Sequence, residues 1–416
     1  MRILHTVEFY SPSVGGAQEV VRRISEQLVQ RGHEVTVATT HLPERESKYI
    51  NGVRIEGFSI SGNEVLGYRG ETDRYLRFLT DGSFDVMMNY AAQQWATDLA
   101  FTIVSKLPYT KVMAPCGFSA LSLGKYEPYF RKMPDIMRQY DHLIVHSEMT
   151  RDSQFIRQHG LNHYSVMPNG AAREEFEHAT DDFRERYRIP RGIPMLLTVG
   201  SHTGAKGHSL SMNAFLHAKI GRAVLVIIGN ILGGIGCLRR CQIQAAWVRF
   251  RSLGQKKVLL LDLPRKDVVS AYRAADLFVF GSNIECSPIV LFEAMAGATP
   301  FVSSDVGNAR EIADWGGSGM IIPAVLDSNG LARATVSDMA RAIENLISDP
   351  SKLQTMARAG HDSWEKRFSW ETIAIQYESL YDRLIRRCKY STLRRSSIMA
   401  NPSKASVSNT TISTIF

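Results

Sequence analysis

Apolar residues alternate along the chain between two patterns: short uninterrupted runs, and longer stretches in which they recur every three or four residues. The run LFVFG at 277–281 is typical of a strand covered on both faces. The spacing of Val20, Val21, Ile24 and Leu28 is typical of an amphipathic helix. The same patterns predict strands at 2–7, 34–39, 84–90, 111–115, 142–146, 195–199, 223–229, 258–263 and 299–303, and helices at 17–31, 94–106, 126–140, 266–275, 288–295 and 370–387.

This alternation of strands and helices predicts an α/β protein with parallel, doubly wound sheets. A charged stretch that contains Pro190 and Gly192 interrupts it, and the pattern then starts again. We therefore predict two Rossmann-like domains at 1–175 and 193–368, joined by a linker at 176–192. A last amphipathic helix is predicted at 369–388, and the Ser/Thr/Asn-rich segment at 389–416 is predicted to be a disordered basic tail.

The composition is that of a soluble globular protein, since 44% of the 416 residues are hydrophobic and 22% are charged. The five cysteines are odd in number and scattered, which fits a reducing compartment better than a disulfide framework. Because the chain opens on the strand pattern MRILHTV, we expect no signal peptide. The longest apolar run, at 223–238, is shorter than a bilayer span requires. We therefore expect a cytoplasmic protein.

The net charge of +8 is unevenly placed, because no acidic residue occurs between Lys206 and Leu261. That segment contains the basic residues Arg239, Arg240, Arg249, Arg251, Lys256 and Lys257. They either rest on anionic lipid at the inner face of the cell membrane, face a phosphorylated substrate, or form a solvated surface. Nucleic acid is not an expected partner, because aromatic residues for base stacking are not interleaved with the basic ones.

Cys237 and Cys241 are spaced to share one face of a helix. Neither a histidine nor a further cysteine completes a metal site nearby in the sequence, so no metal is predicted there.

A polar turn at 282–287 separates the strand at 277–281 from the next helix, and two carboxylates, Glu285 and Glu293, bracket the helix start. Ser287 is the predicted N-cap, and Pro288 suits the first helical position because it has no N–H to leave unpaired. Free N–H groups at a helix start attract an anion. The turn therefore predicts an anion site. The alternative is that Glu285 is a surface turn residue and Glu293 an ordinary helix residue.

The segment E-C-S-P-I-V-L-F-E, followed by A-M-A-G-A-T-P-F-V-S-S-D-V-G, resembles the E-x7-E element of retaining glycosyltransferases of family 4. The resemblance extends over most of residues 1–385. It implies the GT-B fold, in which two Rossmann-like domains face a central cleft and the last helix crosses back onto the first domain. It also implies that the second domain binds a nucleotide-sugar and the first binds the acceptor.

By the same resemblance, Glu293 binds the ribose hydroxyls of the donor and Glu285 orients the transferred sugar. The backbone around Pro288, at Ser287, Ile289 and Val290, meets the phosphates. The family usually reads G-R-x4-K-G where this chain has Gly200-Ser201-His202-Thr203-Gly204-Ala205-Lys206-Gly207. Lys206 matches the phosphate-binding lysine, but Ser201 stands in place of the arginine. Either His202 or a basic residue elsewhere substitutes, or phosphate binding relies more on Lys206 and the helix end.

Two loops of the first domain are further candidates. Gly15 and Gly16 do not fit the spacing G-x-G-x-x-G of a dinucleotide site, and the resemblance implies that they border the donor pyrophosphate. A tight turn without a ligand is the alternative. Cys116 occupies the place before Gly117 where the family often has a histidine facing the acceptor. It is an acceptor-side candidate, a nucleophile, or a packed loop cysteine.

These residues predict a glycosyltransferase that moves a sugar, with retention of configuration, from a nucleotide-sugar to a glycan or lipid-linked acceptor. The resemblance points to polysaccharide or lipopolysaccharide biosynthesis at the cell surface. No metal or other cofactor is expected, because no D-x-D triplet is present and Lys206 with the helix end would supply the positive charge. The alternatives are a sugar-nucleotide epimerase, a glycan phosphorylase, or a non-catalytic sugar-nucleotide-binding protein.

Overall fold

The computed structural model describes residues 1–180, 182–230 and 236–400, with side chains as far as residue 388. The N-terminal domain contains the strands β1 (Arg2–Thr6), β2 (Glu34–Thr40), β3 (Tyr49–Ile50), β4 (Val53–Phe58), β5 (Ile60–Asn63), β6 (Gly67–Gly70), β7 (Val86–Tyr90), β8 (Thr110–Ala114), β9 (His142–Val145) and β10 (Tyr164–Val166). Its helices, and the two short ones that follow it, are α1 (Gly16–Gln30), α2 (Thr72–Asp81), α3 (Trp95–Asp98), α4 (Glu127–Met137), α5 (Arg151–Gln158), α6 (Arg173–Glu177) and α7 (Phe183–Arg186).

The C-terminal domain contains the strands β11 (Met195–Val199), β12 (Ala223–Ile228), β13 (Lys256–Leu261), β14 (Leu277–Phe280), β15 (Phe301–Ser304), β16 (Gly319–Ile322), β17 (Ala324–Leu326) and β18 (Ala332–Ala334). Its helices are α8 (His208–His217), α9 (Leu238–Arg251), α10 (Arg265–Ala274), α11 (Ile289–Ala296), α12 (Ala309–Gly316), α13 (Val336–Ile347) and α14 (Pro350–Ser363), followed by a π-helical turn (Trp364–Phe368) and the long helix α15 (Trp370–Ala400).

Two sheets form the centres of the domains, as the alternating pattern predicts. The strand order is β10-β9-β8-β7-β1-β2-β4-β3 in the first sheet and β13-β12-β11-β14-β15-β16 in the second. All neighbouring strands run parallel except β3 and β4. In each sheet the strand order reverses at the first strand of the domain, β1 or β11. Ligands of doubly wound sheets bind beyond the carboxyl ends of the strands at such points. The loops after β1 and β11 are therefore the expected walls of a site.

The segment predicted as a linker at 176–192 is packed onto the C-terminal domain and is not an extended connection. It contains all of α7, and Phe176, Phe183 and Ile189 are buried in the core of that domain. Widely spaced apolar residues between many charged ones hid this packing in the sequence.

The last helix, α15, lies against the N-terminal domain. Its residues Trp370, Ile373, Tyr377 and Leu384 belong to the core of that domain, and the Tyr381 hydroxyl lies 3.1 Å from His5 Nε2. The disorder predicted from residue 389 is wrong as far as Ala400, because the backbone continues as helix to that point. The rest of the predicted tail, 401–416, lies outside the described residues.

The helix predicted at 94–106 is one turn of α-helix, α3, followed by two 3₁₀ turns at Leu99–Thr102 and Val104–Lys106. None of the helices described here combines the length and the hydropathy that crossing a bilayer requires.

Candidate active site

A cavity of about 400 Å³ lies between the two domains, where the first turns of α1 and α11 face each other. Its walls include every residue that the sequence predicted for the site: Gly15, Gly16, Cys116, Gly200, Ser201, Lys206, Glu285, Ser287, Pro288, Ile289, Val290 and Glu293. These residues come from four separate segments of the chain, at 15–16, 116, 200–206 and 285–293. Their individual roles stay predictions.

The start of α11 forms one end of this cavity. The helix begins at Ile289 with Pro288 as its N-cap, so the predictions of Ser287 as N-cap and Pro288 as the first helical residue are wrong by one position. Proline fits the cap because its ring fixes φ, here −71°, while its ψ of 111° has the extended value of an N-cap residue. No side chain caps α11, and its first turn contains no acidic residue. The positive helix end is therefore open to an anion in the cavity.

Glu285 and Lys206 form an ion pair within the cavity. The Lys206 ammonium donates to Glu285 Oε1 at 2.6 Å, and the Ser282 hydroxyl donates to the same oxygen at 2.7 Å. The Glu285 side chain is 12% exposed, whereas that of Lys206 is 32% exposed. The carboxylate is thus fixed by the protein, and the lysine has the freedom to turn towards a phosphate.

Glu293 lies deeper in the cavity and pairs with Arg265, a residue that the sequence analysis missed. Arg265 Nη1 lies 2.6 Å from Glu293 Oε1, whose side chain is 5% exposed. Arg265 Nη2 also donates to Glu175 at 2.7 Å. Only the fold reveals this contact, because Arg265 starts α10, in a different part of the chain from the motif.

This ion-pair network continues into the N-terminal domain through Arg23, which pairs with Glu175 and with Glu19 of α1. Burial alone would raise the pKa of Glu19, but hydrogen bonds and charges from Arg22 and Arg23 outweigh it and lower the pKa to about 2. The charged network therefore fixes α1 relative to the domain that carries Glu293.

His202 does not replace the missing arginine. It is 1% exposed and lies against His208 on the other side of the loop, outside the cavity lining. Among the described residues of the cavity wall, the cation other than Lys206 is Arg265. Because Glu293 and Glu175 already engage Arg265, the geometry favours the alternative that phosphate binding relies more on Lys206 and the helix end.

Cys116 lies where the two domains touch. A Cβ on Gly117 would meet Cys286 Sγ at 2.9 Å, so the two loops are in direct contact. Cys116 Sγ is 3.8 Å from the Tyr90 hydroxyl, which in turn lies 2.9 Å from His146 Nε2. A hydrogen bond with the Cys286 thiol lowers the pKa of Cys116 against the effect of burial, and His146 lowers it further.

Two polar atoms in the cavity wall have no hydrogen-bond partner within the described part of the chain: Ser287 Oγ and Asn169 Oδ1. The other end of the Asn169 amide donates to the Ser287 carbonyl at 2.9 Å. Buried polar atoms are nearly always paired in proteins, so unpaired ones at a cavity are suited to a polar ligand. The sequence analysis did not identify Asn169 as a site residue.

Comparison with known proteins agrees with this geometry. Residues 14–175 match the family model described as Glycosyltransferase Family 4, and residues 179–362 match the model described as Glycosyl transferases group 1. The chain belongs to glycosyltransferase family 4. It is thus an enzyme that transfers glycosyl groups, as the E-x7-E resemblance predicts.

Relatives that are similar over nearly the whole chain are named for different compounds. The chain is 28% identical to a D-inositol 3-phosphate glycosyltransferase of Corynebacterium kroppenstedtii, over 92% of this chain and 89% of the relative. It is 23% identical to an N-acetyl-alpha-D-glucosaminyl L-malate synthase of Bacillus anthracis, over 90% of this chain and 96% of the relative.

Solved structures show the same fold. Anabaena Alr3699/HepE in complex with UDP-glucose superposes with a TM-score of 0.70 at 17% identity, covering 92% of this chain and 100% of that one. A sucrose-phosphate synthase of Thermosynechococcus elongatus gives a TM-score of 0.74 at 20% identity, covering 93% and 99%. This family 4 glycosyltransferase therefore has the GT-B fold.

Proposed function

We propose that the enzyme transfers a sugar from a nucleotide-sugar, with retention of configuration, to a glycan or lipid-linked acceptor. The observation that carries the proposal is the single cavity shared by the open start of α11, Lys206 and both motif carboxylates. A diphosphate at the Ile289 and Val290 amides would have one carboxylate on each side.

In this arrangement the charge that develops on the leaving diphosphate is stabilised by Lys206 and the α11 end. Glu285, held by Ser282, hydrogen-bonds the hydroxyls of the transferred sugar and orients it. Glu293 binds the ribose with the part of its carboxylate that Arg265 leaves available. Because Arg265 pairs with Glu293, a displacement that uses both carboxylates on the sugar is disfavoured. The acceptor then attacks from the side on which the diphosphate departs.

A binding screen would identify the base and the sugar of the donor. Solved neighbours hold UDP and UDP-glucose, so uridine is the first base to test. Thermal shifts with UDP-, GDP-, dTDP- and ADP-sugars identify the donor, because a ligand that binds only the folded state raises apparent stability. NMR of the product anomer then decides between retention and inversion.

Glu285→Gln is expected to lower kcat about 100-fold without weakening UDP binding, because the lost carboxylate orients the sugar and its removal frees Lys206 for the diphosphate. The amide keeps the shape of the side chain and its hydrogen bond from Ser282. The measurement is turnover of the matched donor beside calorimetric UDP binding. Glu127→Gln, at a side chain 71% exposed on α4, is the matched control. Unchanged turnover in the Glu285 variant would refute the assigned role.

The same assays separate the alternatives. A non-catalytic binding protein would bind the donor without releasing UDP in the presence of any acceptor. An epimerase would convert the sugar without an acceptor. The acceptor panel should include inositol phosphate and malate beside glycans and lipid-linked sugars, because relatives are named for these compounds.

An exposed face of α9 supports peripheral contact with an anionic membrane. Its apolar side chains Ile243, Trp247 and Phe250, and Leu253 just beyond the helix, are between 51% and 91% exposed. Arg239, Arg240, Arg249 and Arg251 lie exposed on the same segment. Aromatic residues among cations suit the headgroup region of a bilayer. Lys256 does not belong to this patch, because it is buried and donates to the carbonyls of Phe215 and Leu216 that end α8.

Replacing Trp247 and Phe250 with serine is expected to weaken binding to phosphatidylglycerol vesicles about tenfold or more, because each aromatic side chain contributes ~1.5–3 kcal/mol on burial. Co-sedimentation with vesicles measures the effect. The matched control replaces Val325 and Leu326, which are 77% and 62% exposed on β17. If both double variants bind the vesicles equally well, this surface is not the membrane-binding site. The same conclusion follows if the protein binds neutral phosphatidylcholine as well as phosphatidylglycerol.

A further inference from the structure

Two histidines and two cysteines meet behind the loop that carries Lys206. They are His202 in that loop, His208 at the start of α8, Cys237 at the N-cap of α9 and Cys241 one turn further on. One ligand atom from each lies within 4.8 Å of all the others. The prediction that no histidine completes a metal site near Cys237 and Cys241 is therefore wrong, because two histidines lie beside these cysteines in the folded chain. The ligands are far apart in sequence, and only the packing of two loops brings them together.

Five of the six distances among the two Nδ1 and two Sγ atoms are close to those of a tetrahedral ligand set. The two Nδ1 atoms are 3.3 Å apart and the two Sγ atoms are 3.6 Å apart. Cys237 Sγ lies 3.6 Å from His202 Nδ1 and 3.8 Å from His208 Nδ1, and Cys241 Sγ lies 3.9 Å from His208 Nδ1. Around a central zinc ion, bond lengths of about 2.0 Å to nitrogen and 2.3 Å to sulfur give ligand separations of about 3.3–3.8 Å.

Burial and chemistry both favour a metal here. His202, His208 and Cys241 are at most 3% exposed. The Nε2 atoms of both histidines have no hydrogen-bond partner in the part of the chain that the structure describes. Hydrogen bonds at Nε2 therefore do not explain why two imidazole rings are buried side by side. Two thiolates with two imidazoles select zinc over magnesium or calcium.

We propose that His202, His208, Cys237 and Cys241 bind one Zn²⁺ ion in a closed, structural site. Four protein ligands leave no position for water or substrate, so this ion takes no part in the transfer reaction. The site lies behind the cavity wall and is separate from the donor site that Glu285 and Lys206 line.

The role of the ion follows from what it would join. Among its described side chains, α9 buries only Cys241 and Val248, which is little apolar anchoring for a helix of 14 residues. Loop 200–207 is already hydrogen-bonded to the end of β12, from the His202 amide to the Asn230 carbonyl, and to the α9 entry, from the Cys237 amide to the His202 carbonyl, both at 2.9 Å. A zinc ion would fix both segments at once, and with them the backbone that positions Lys206.

The first test is metal content. Tag-free full-length protein from zinc-supplemented cells is expected to contain about one zinc per chain by mass spectrometry of the metals, and the Cys237→Ser/Cys241→Ser variant about tenfold less. Cys388→Ser, in α15 near Asp141, is the matched control and should keep its zinc.

A second measurement does not depend on the folding of a variant. Reduced wild-type protein stripped with a chelator is titrated with Co²⁺, and a tetrahedral site with two sulfur ligands should give intense visible absorption and a sulfur-to-cobalt charge-transfer band. Purified protein without zinc, together with a weak octahedral cobalt spectrum, would overturn the proposal. So would a Cys237–Cys241 disulfide in peptides from freshly isolated protein.

Removal of the ion should also raise the KM for the donor several-fold, because loop 200–207 loses its support. This consequence rests on the proposed function, whereas metal content does not. Zinc binding with an unchanged donor KM would support the site and contradict only its effect on Lys206.

Discussion

Lys206→Ala is expected to lower kcat/KM about 1000-fold, the scale on which a preorganised charge at a leaving group acts. Lys206 is the exposed partner of its ion pair and can turn from Glu285 to a phosphate, whereas the other cation in the described cavity wall, Arg265, is already engaged by Glu293 and Glu175. The arginine that the family usually adds is Ser201 here. We therefore expect a single flexible cation to stabilise most of the developing diphosphate charge.

The measurement is the initial rate with the donor that the binding screen identifies. Lys206→Arg should recover part of the rate, because it restores the charge but not the shape of the ammonium. Lys352→Ala, at an exposed position on α14, is the matched control for removing a lysine. A loss of less than tenfold in Lys206→Ala would mean that the α11 end or Arg265 carries the phosphate charge instead.

Removing Lys206 also leaves Glu285 facing the diphosphate without a counter-charge. The double variant Lys206→Ala/Glu285→Gln separates the two effects, because the repulsion disappears with the carboxylate. If the second substitution recovers donor affinity but not kcat, the lysine neutralises Glu285 in the ground state and the diphosphate in the transition state.

The extent to which the sequence predicted this site depends on where each residue lies in the chain. Glu285, Ser287 and Glu293 lie within one turn and helix start, and the motif around them predicted that they share one site. Gly15 and Lys206 follow the first strand of each domain, and the resemblance to the family was enough to bring them into the same cleft. The error of one residue at the α11 cap arose because proline fits both the cap and the first helical turn.

Residues whose role depends on a partner far along the chain could not be found in this way. Arg265 reads as a surface arginine at the start of a helix until Glu293 and Glu175 are seen beside it. His202 lies within the predicted phosphate loop, yet it belongs to a different cluster. Periodicity reports the environment of a segment and not the identity of its tertiary neighbours.

Gly207→Ala is expected to cost considerably more stability than the same change at Gly204, three residues earlier. Both glycines have positive φ, 64° and 82°, which costs an alanine roughly 1–2 kcal/mol. A Cβ at Gly204 meets nothing within 4 Å, whereas one at Gly207 would lie 1.7 Å from the Gly281 carbonyl oxygen. Backbone cannot rotate away as a side chain can, so we expect a further ~1–3 kcal/mol from overpacking.

This close contact has a functional consequence, because Gly207 follows Lys206 and Gly281 leads into the turn of Glu285. Separating the two backbones would lengthen the 2.6 Å contact between Lys206 and Glu285 and displace the lysine from the α11 end. Thermal unfolding and donor binding should therefore both deteriorate in Gly207→Ala, while Gly204→Ala loses only stability. Equal effects of the two substitutions would show that left-handed strain alone determines the cost, and that the loop can move away from the strand end without harm.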